Sequence, residues 1–197
     1  GGVPTLDNAD RIAELLNKRG LAMEDARNFC VCGCVEYSGS GCEYANASGP
    51  FSKAFVNVTN ILLQAINNGV NPQNGQRGGL ETGLLADMAT FDEVKEAFKA
   101  QLEYFLDWQF TIYAICEYVG IREMPVPIAS ATMDGCMESG RDMMWGGAKY
   151  NSTGVATMGV GTLADSLAAI KHMVYDKKLC SGSQLLDAVR ADWKGHE

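Results

Sequence analysis

The chain has 197 residues, of which 47% are hydrophobic and 20% charged, as in an ordinary globular protein. Sixteen basic and 24 acidic side chains give a net charge of −8, which argues against nucleic acid or an anionic membrane surface as the main partner. No apolar run approaches the ~18 residues of a membrane-spanning helix. Seven cysteines are an odd number and too sparse for a disulfide-stapled scaffold, so reduced thiols in a cytosol are the favoured interpretation.

The predicted elements of the first fifty residues change from helix to strand. Asp7 or Asn8 can cap a helix that Gly20 ends, and a short helix follows. Residues 29–37 have no helical period and are rich in small and β-branched side chains, which predicts a buried strand. The strand enters a turn-rich loop over 38–50, where Gly and Ser are concentrated.

Helices dominate the rest of the chain. One is predicted over about 52–68, with Phe55 on its apolar face. The clearest begins at Thr90, which can form a capping box with Glu93, and ends before Pro125. Further helices are predicted over about 128–140 and 162–176.

The pattern predicts an α/β fold with long helices packed around few, short, buried strands. A parallel sheet or barrel fits, because parallel strands need helical crossovers. The strands are too few for a closed barrel, and the chain begins at Gly1 without a methionine. No repeat or linker divides it, so we expect residues 1–197 to be a single partial domain of a longer protein.

The segment Gly33-Cys34-Val35-Glu36 is the sharpest chemical feature of the sequence. On an extended segment, side chains two residues apart face the same side, with Cα atoms about 6.5 Å apart at a rise of ~3.3 Å per residue. Cys34 and Glu36 can then contact neighbouring atoms of one small molecule. Gly33 has no side chain and allows a ligand or backbone to approach closely.

A thiol beside a carboxylate suits hydrogen-atom chemistry better than nucleophilic attack. A nucleophilic cysteine needs its thiolate, whereas a neighbouring carboxylate raises the pKa of a thiol. Neither His172 nor His196 makes an obvious pair with Cys34. A thiyl radical at Cys34 would abstract a hydrogen atom from substrate carbon, and Glu36 would take the proton of the adjacent hydroxyl as a leaving group departs.

The four-residue motif resembles the thiyl loop of glycyl-radical eliminases, a branch of the pyruvate formate-lyase-like superfamily. Other blocks of the chain are similar to family blocks in the same order, so the resemblance covers nearly the whole chain. These blocks are residues 2–8, Gly20 with 24–27, 133–142, 146–151 and 164–171.

The resemblance implies a fold, a mechanism and partners. The fold is a ten-stranded α/β barrel with the thiyl loop inside, at about residues 30–50. Cys34 and Glu36 are the expected catalytic residues, as thiyl radical and general base, with no metal and no directly bound cofactor. The glycyl radical lies outside this chain and is installed by a radical S-adenosylmethionine activase. A homodimer of the full-length protein and an anaerobic cytoplasm are also implied.

The chain departs from the family pattern in ways that limit these expectations. It contains no Arg-Val-x-Gly-Tyr loop for the glycyl radical, and the first half of the barrel is absent. We therefore expect an internal fragment that is inactive by itself. Tyr37 stands where diol and choline lyases typically carry Pro, which leaves the substrate subclass open.

Two alternatives remain open at this point. Arylacetate decarboxylases share a Gly-Cys-x-Glu pattern, so radical decarboxylation is the second enzymatic hypothesis. A cysteine-based metal-binding module is the hypothesis of another class. It would use the cysteines of one region, Cys30, Cys32, Cys34 and Cys42, although their spacing fits a tetrahedral ion poorly.

Overall fold

A computed structural model describes residues 7–32, 36–44, 54–152 and 155–196, which form a mixed α/β structure. The α-helices are α1 (Ala9–Lys18), α2 (Met23–Arg27), α3 (Val58–Ile66), α4 (Phe91–Glu123), α5 (Pro127–Ser130), α6 (Cys136–Ser139), α7 (Val160–Ile170) and α8 (Gly182–Arg190). The strands are β1 (Phe29–Cys32), β2 (Glu36–Gly39), β3 (Glu43–Tyr44), β4 (Ala54–Asn57), β5 (Tyr150–Asn151) and β6 (Val155–Met158). In the described residues they form three two-stranded sheets, in which β1 pairs with β2, β3 with β5 and β4 with β6.

The chain divides into two compact units. The first consists of Gly1–Ala54 and Ile112–Val155, and the second of Phe55–Thr111 and Ala156–Glu197. A compact unit need not fold alone, so the expectation of a single partial domain over 1–197 stays a prediction.

In the first unit, α1 and α2 form a small core with the strands that follow them. The Asn8 side chain caps α1 by accepting the Arg11 N–H at 3.2 Å, as the sequence predicts. Ile12 and Leu16 are buried, whereas Leu15 is 53% exposed. The buried core residues are Ile12, Ala13, Leu16, Leu21 and Ala26, with Phe29, Tyr37 and Tyr150 packed against them.

The predicted single strand over 29–37 is wrong, because the chain reverses within it. Strands β1 and β2 pair antiparallel, with Phe29 opposite Gly39 and Cys32 opposite Glu36. Strand β1 is partly buried, and Val31 is 55% exposed. The predicted loop over 38–50 is also corrected, since residues 38 and 39 belong to β2 and residues 43 and 44 form β3.

The second unit has the larger core, to which α3 contributes one face. The predicted start of this helix near residue 52 is wrong. Asn57 caps it by accepting the Asn60 N–H at 3.0 Å, and Val58 is its first residue. Phe55 lies in β4 and is 58% exposed. The core residues are Leu62, Ala65, Ile66, Leu85, Met88, Val94, Ala97, Ile170, Leu185 and Leu186.

Helix α4 has 33 residues and confirms the predicted bounds. The Glu93 N–H donates to the Thr90 hydroxyl at 3.3 Å, and the Glu93 carboxylate accepts the Ala89 N–H at 2.9 Å. The helix ends at Glu123, before Pro125. No helix in the described part of the chain is long and apolar enough to cross a membrane.

The later helices are shorter than the sequence predicts. The expected helix over 128–140 is two separate turns, α5 and α6, because Gly135 adopts a φ of +94° between them. The helix expected over 162–176 ends at Ile170 and continues as a π-helical segment, Lys171–Asp176. Helix α8 was not predicted.

Candidate functional site

Of the two predicted catalytic residues, the structure describes Glu36. It is the first residue of β2, is half-buried, and has Cys32 as its register partner. Gly33, Cys34 and Val35 lie outside the described residues. The role of Cys34, and its position relative to Glu36, therefore stay predictions.

The β1–β2 hairpin has two chemically different faces. Residues opposite one another in an antiparallel pair point to the same side, and alternate residues along a strand share a face. The pairs Cys30–Ser38 and Cys32–Glu36 therefore share one face, which we call the thiol–carboxylate face. The sulfur atoms of Cys30 and Cys32 lie 3.5 Å apart. Glu36 thus lies on a face that carries thiols and a hydroxyl.

The opposite face of the hairpin is apolar. The rings of Phe29 and Tyr37 meet edge to face with centroids 5.7 Å apart, and both pack against the core of α1 and α2. A hydrogen bond to Asp7, together with burial, raises the pKa of Tyr37. Tyr37 therefore fixes the hairpin to the core. The departure from the family pattern at this position lies on the packing face, away from Glu36.

Two thiols near the hairpin, Cys30 and Cys42, have raised pKa values. Burial raises the pKa of Cys30, and the hydrogen bond with Cys32 raises it further. Burial also raises the pKa of Cys42, followed by the nearby charge of Asp25. An S–H group, not a thiolate, is what hydrogen-atom transfer requires, so the setting suits the predicted chemistry.

A second carboxylate, Glu43, lies beside the hairpin with a fully buried side chain. Its Oε1 accepts from Arg19 Nη2 at 2.5 Å and from the Ser152 hydroxyl at 2.7 Å. Its Oε2 accepts from the Gly39 N–H at 2.8 Å and from the Ser38 hydroxyl at 3.2 Å. We did not identify Glu43 from the sequence, because no local pattern relates it to Arg19 or Ser152.

A third carboxylate, Asp25, connects α2 to strand β5. Its Oδ2 accepts from Lys149 Nζ at 2.7 Å and from the Tyr150 hydroxyl at 2.6 Å. The Tyr150 hydroxyl also accepts the Ala22 N–H at 3.0 Å. The parallel pairing of β3 with β5, in which Glu43 is opposite Tyr150, joins this connection to the buried carboxylate.

Stability in acid is expected to depend on Asp25. Hydrogen bonds from Lys149 and then Tyr150 lower the pKa of Asp25. A carboxyl with a depressed folded pKa contributes stability above the unfolded pKa, ~3.9, and loses it as the pH falls through the folded value. As the pH is lowered below about 4, the midpoint temperature of thermal unfolding should therefore decrease more per pH unit in the parent than in Asp25→Asn. Glu24 is exposed, so the control Glu24→Gln should show the same dependence of the midpoint on pH as the parent. The same pH dependence in Asp25→Asn would exclude a contribution of Asp25 to stability.

Gly39, the last residue of β2, lies in close contact with buried side chains. A Cβ there would lie 2.7 Å from Cys42 Sγ, 3.0 Å from Leu21 Cδ2 and 3.3 Å from Glu43 Cβ. Leu21 and Cys42 are themselves buried, so neither has space to retreat.

Gly39→Ala is expected to destabilise the protein by about 1–3 kcal/mol through overpacking. The change in the midpoint of urea denaturation measures it. Gly161→Ala is the matched control, since a Cβ on that glycine of α7 meets nothing within 4 Å and alanine favours helix. Equal midpoints for the two variants would contradict the close approach at Gly39.

The alternative of a metal-binding module gains no support from the described residues. Cys30, Cys32 and Cys42 form no disulfide. Among the described residues, no group of three or more His, Cys, Asp or Glu side chains is placed to hold a metal ion.

Comparisons with known proteins show which family the chain resembles. A family profile described as "Pyruvate formate lyase-like" matches residues 1–197. The chain is 38% identical to (2S)-3-sulfopropanediol dehydratase of Klebsiella oxytoca and 37% identical to trans-4-hydroxy-L-proline dehydratase of Clostridioides difficile. Each match covers 100% of this chain, and 23% and 24% of the two relatives.

Solved structures give the same result. The chain superposes on the glycerol-bound B12-independent glycerol dehydratase from Clostridium butyricum with a TM-score of 0.90 and 31% identity, covering 98% of this chain and 24% of that one. The predicted fold class, part of an α/β barrel of the glycyl-radical enzyme type, is confirmed. The chain spans about a quarter of the length of the relatives it matches. Because the profile matches every residue, the chain belongs to the pyruvate formate lyase-like family.

Proposed function

We propose that this chain is the thiyl-loop region of a glycyl-radical lyase that removes water, or another leaving group, from a small hydroxylated molecule. The observation that carries the proposal is the Gly33-Cys34-Val35-Glu36 motif in a chain similar along its whole length to two dehydratases. Elimination of water is favoured over decarboxylation because both of these relatives, at 37% and 38% identity, are named dehydratases.

The reaction assigns one step to each of the two residues. The glycyl radical, located elsewhere in the complete enzyme, supplies the unpaired electron. Cys34 then takes a hydrogen atom from the substrate carbon that bears a hydroxyl, and later returns it to the product radical. Glu36 removes the proton of that hydroxyl, which promotes departure of the group on the neighbouring carbon.

The described surroundings of Glu36 support these roles. The thiol of Cys30, on the same face as Glu36, has a pKa that burial and then its bond to Cys32 raise, which favours S–H over thiolate at Cys30. Glu36 lies on the thiol–carboxylate face, opposite the apolar face that packs on the core. The proposed reaction requires a substrate carbon within reach of the Cys34 sulfur and the hydroxyl of that carbon within reach of the Glu36 carboxylate.

The proposal includes partners and a location for the full-length protein. A radical S-adenosylmethionine activating enzyme installs the glycyl radical. The full-length protein is a homodimer in an anaerobic cytoplasm. Neither nucleic acid nor a membrane is proposed as a partner, in keeping with the net charge of −8.

The test uses the full-length protein with its activating enzyme under anaerobic conditions. Glycerol, trans-4-hydroxy-L-proline, (2S)-3-sulfopropanediol and an arylacetate are offered separately, and loss of water or of carbon dioxide is followed by mass spectrometry. The expected result is an EPR signal of a glycyl radical and dehydration of a hydroxylated substrate. A radical signal with decarboxylation of an arylacetate, and no dehydration of any hydroxylated compound, would reject the proposal in favour of the second enzymatic hypothesis.

A further inference from the structure

The buried Glu43 is bonded from three separate segments of the first unit. Arg19 follows α1, Ser38 and Gly39 belong to β2, and Ser152 follows β5. Their donors occupy both oxygens of the carboxylate at distances from 2.5 to 3.2 Å. Burying a carboxylate costs solvation free energy unless it is paired and hydrogen-bonded, and here four donors meet that condition.

Most of strand β2 is held by this network. Glu43 accepts directly from Ser38 and Gly39, and Arg19, the cation beside Glu43, donates to the Tyr37 carbonyl at 3.4 Å. Three of the four residues of β2 therefore make hydrogen bonds to Glu43 or its counterion, in addition to the pairing of β2 with β1. The fourth residue is Glu36.

The position of Glu36 follows from that of its strand. Ser38 is two residues along β2 on the same face, so a rotation of the strand at Ser38 also turns Glu36. A general base acts only within hydrogen-bond reach of the proton it removes, and a displacement of about 1 Å can reduce the rate about a hundredfold. A network that fixes β2 is thus placed to control the geometry of the base.

We propose that Glu43 is a positioning residue, which holds β2 so that Glu36 reaches the substrate hydroxyl; this rests on the function proposed above. Glu43 itself does not touch the substrate. The Arg19–Glu43 pair and the Ser152 hydroxyl form a hydrogen-bonded network that holds the strand, and the Tyr37 ring packs on the core of α1 and α2.

A purely structural role for Glu43 would change stability without a specific change in turnover. Asp142 provides a matched control in the same unit. Its carboxylate accepts the Val126 N–H at 2.8 Å, the Ser130 hydroxyl at 2.9 Å and the Met144 N–H at 2.9 Å. It makes no contact with β2 among the bonds of the described residues.

The experiment compares Glu43→Gln and Asp142→Asn in the full-length, activated protein. Glu43→Gln should keep the parental amount of glycyl radical by EPR and lower kcat per radical by about tenfold or more, with KM within about threefold. Asp142→Asn should leave kcat per radical within about twofold. An unchanged kcat in Glu43→Gln would overturn the proposal.

A double variant separates positioning from stability. Glu43→Gln alone leaves Arg19 without its anion, whereas Arg19→Met with Glu43→Gln removes both charges and should restore much of the thermal midpoint. The positioning role predicts that kcat stays low in the double variant. Recovery of kcat together with the midpoint would overturn it. If Glu43→Gln does not fold, Ser152→Ala removes a single bond to Glu43 and should still lower kcat about twofold or more; an unchanged kcat would again overturn the proposal.

Hydrogen exchange makes the outcome independent of the proposed function. Glu43→Gln should accelerate amide exchange in peptides covering residues 28–44, and Asp142→Asn should not. If the protein decarboxylates an arylacetate and dehydrates no hydroxylated compound, the proposed function fails, and faster hairpin exchange in Glu43→Gln would still show that Glu43 stabilises β2. Unchanged amide exchange of the hairpin in Glu43→Gln would show that Glu43 does not stabilise β2, whatever the activity of the protein.

Discussion

Replacing Cys34 with alanine in the full-length enzyme is expected to leave the glycyl radical detectable by EPR and to lower turnover by about 10⁴-fold or more. In the proposed mechanism, the Cys34 thiol carries the hydrogen atom to and from the substrate carbon. Alanine has no S–H bond to form or break, so the substrate reaction cannot begin. The radical persists because it resides on another residue. Spin quantification by EPR gives the amount of glycyl radical, and product formation in the same activated sample gives the turnover.

A second cysteine serves as the control for this variant. Cys180 is half-buried in the second unit and carries no proposed role, so Cys180→Ala should retain both the radical and the turnover. Turnover retained in Cys34→Ala would remove Cys34 from the mechanism. The neighbouring thiols of the hairpin would then be the candidates for the hydrogen-atom carrier.

Local signals in the sequence predict the helices whose ends are set by short-range bonds. The cap of α1 at Asn8 and the start of α4 after Thr90 each depend on residues three positions apart. The same kind of signal begins α8, where Ser181 and Gln184 form a capping box. Ser181 and Gln184 are three positions apart, so the start of α8 also has a local signal in the sequence.

The predicted elements are wrong where two local patterns of the sequence compete or where no local pattern exists. Phe55 fits the apolar spacing of a helix, yet Asn57 caps α3 two residues later, and Phe55 lies in β4. The reversal between Cys32 and Glu36 carries no Asn-Gly or Asp-Gly pair, the strongest short-range signal for a hairpin.

The candidate site likewise contains residues that the sequence predicts and one that it does not. The motif around Cys34 and Glu36 is contiguous, so the sequence alone suggests its chemistry. Glu43 is bonded to Arg19, 24 residues away, and to Ser152, 109 residues away. Such contacts arise only after the chain folds, because β3 and β5 must first pair. Positioning residues of this kind therefore cannot be predicted from the spacing of residues in the sequence.

Hydrogen abstraction and proton removal are separate events, so loss of the base should leave a different kinetic pattern from loss of the thiol. Without Glu36, Cys34 can still take the hydrogen atom, but the hydroxyl proton has no acceptor as the leaving group departs. Elimination then becomes slower than abstraction. Where hydrogen abstraction limits the parental rate, the deuterium isotope effect on kcat, measured with substrate labelled at the abstracted position, should be smaller in the variant because elimination limits its rate instead.

Glu36→Gln is accordingly expected to lower kcat by about 10²–10⁴-fold, the usual contribution of a general base, while radical content stays at the parental level and KM changes little. Glutamine keeps the size of the side chain in β2 but cannot accept a proton. Glu24→Gln, at an exposed position of α2, makes the same chemical change and should leave kcat within about twofold. Parental kcat in Glu36→Gln would assign the base to another residue. An undiminished isotope effect would mean that Glu36 acts before or during hydrogen abstraction, not in the elimination that follows it.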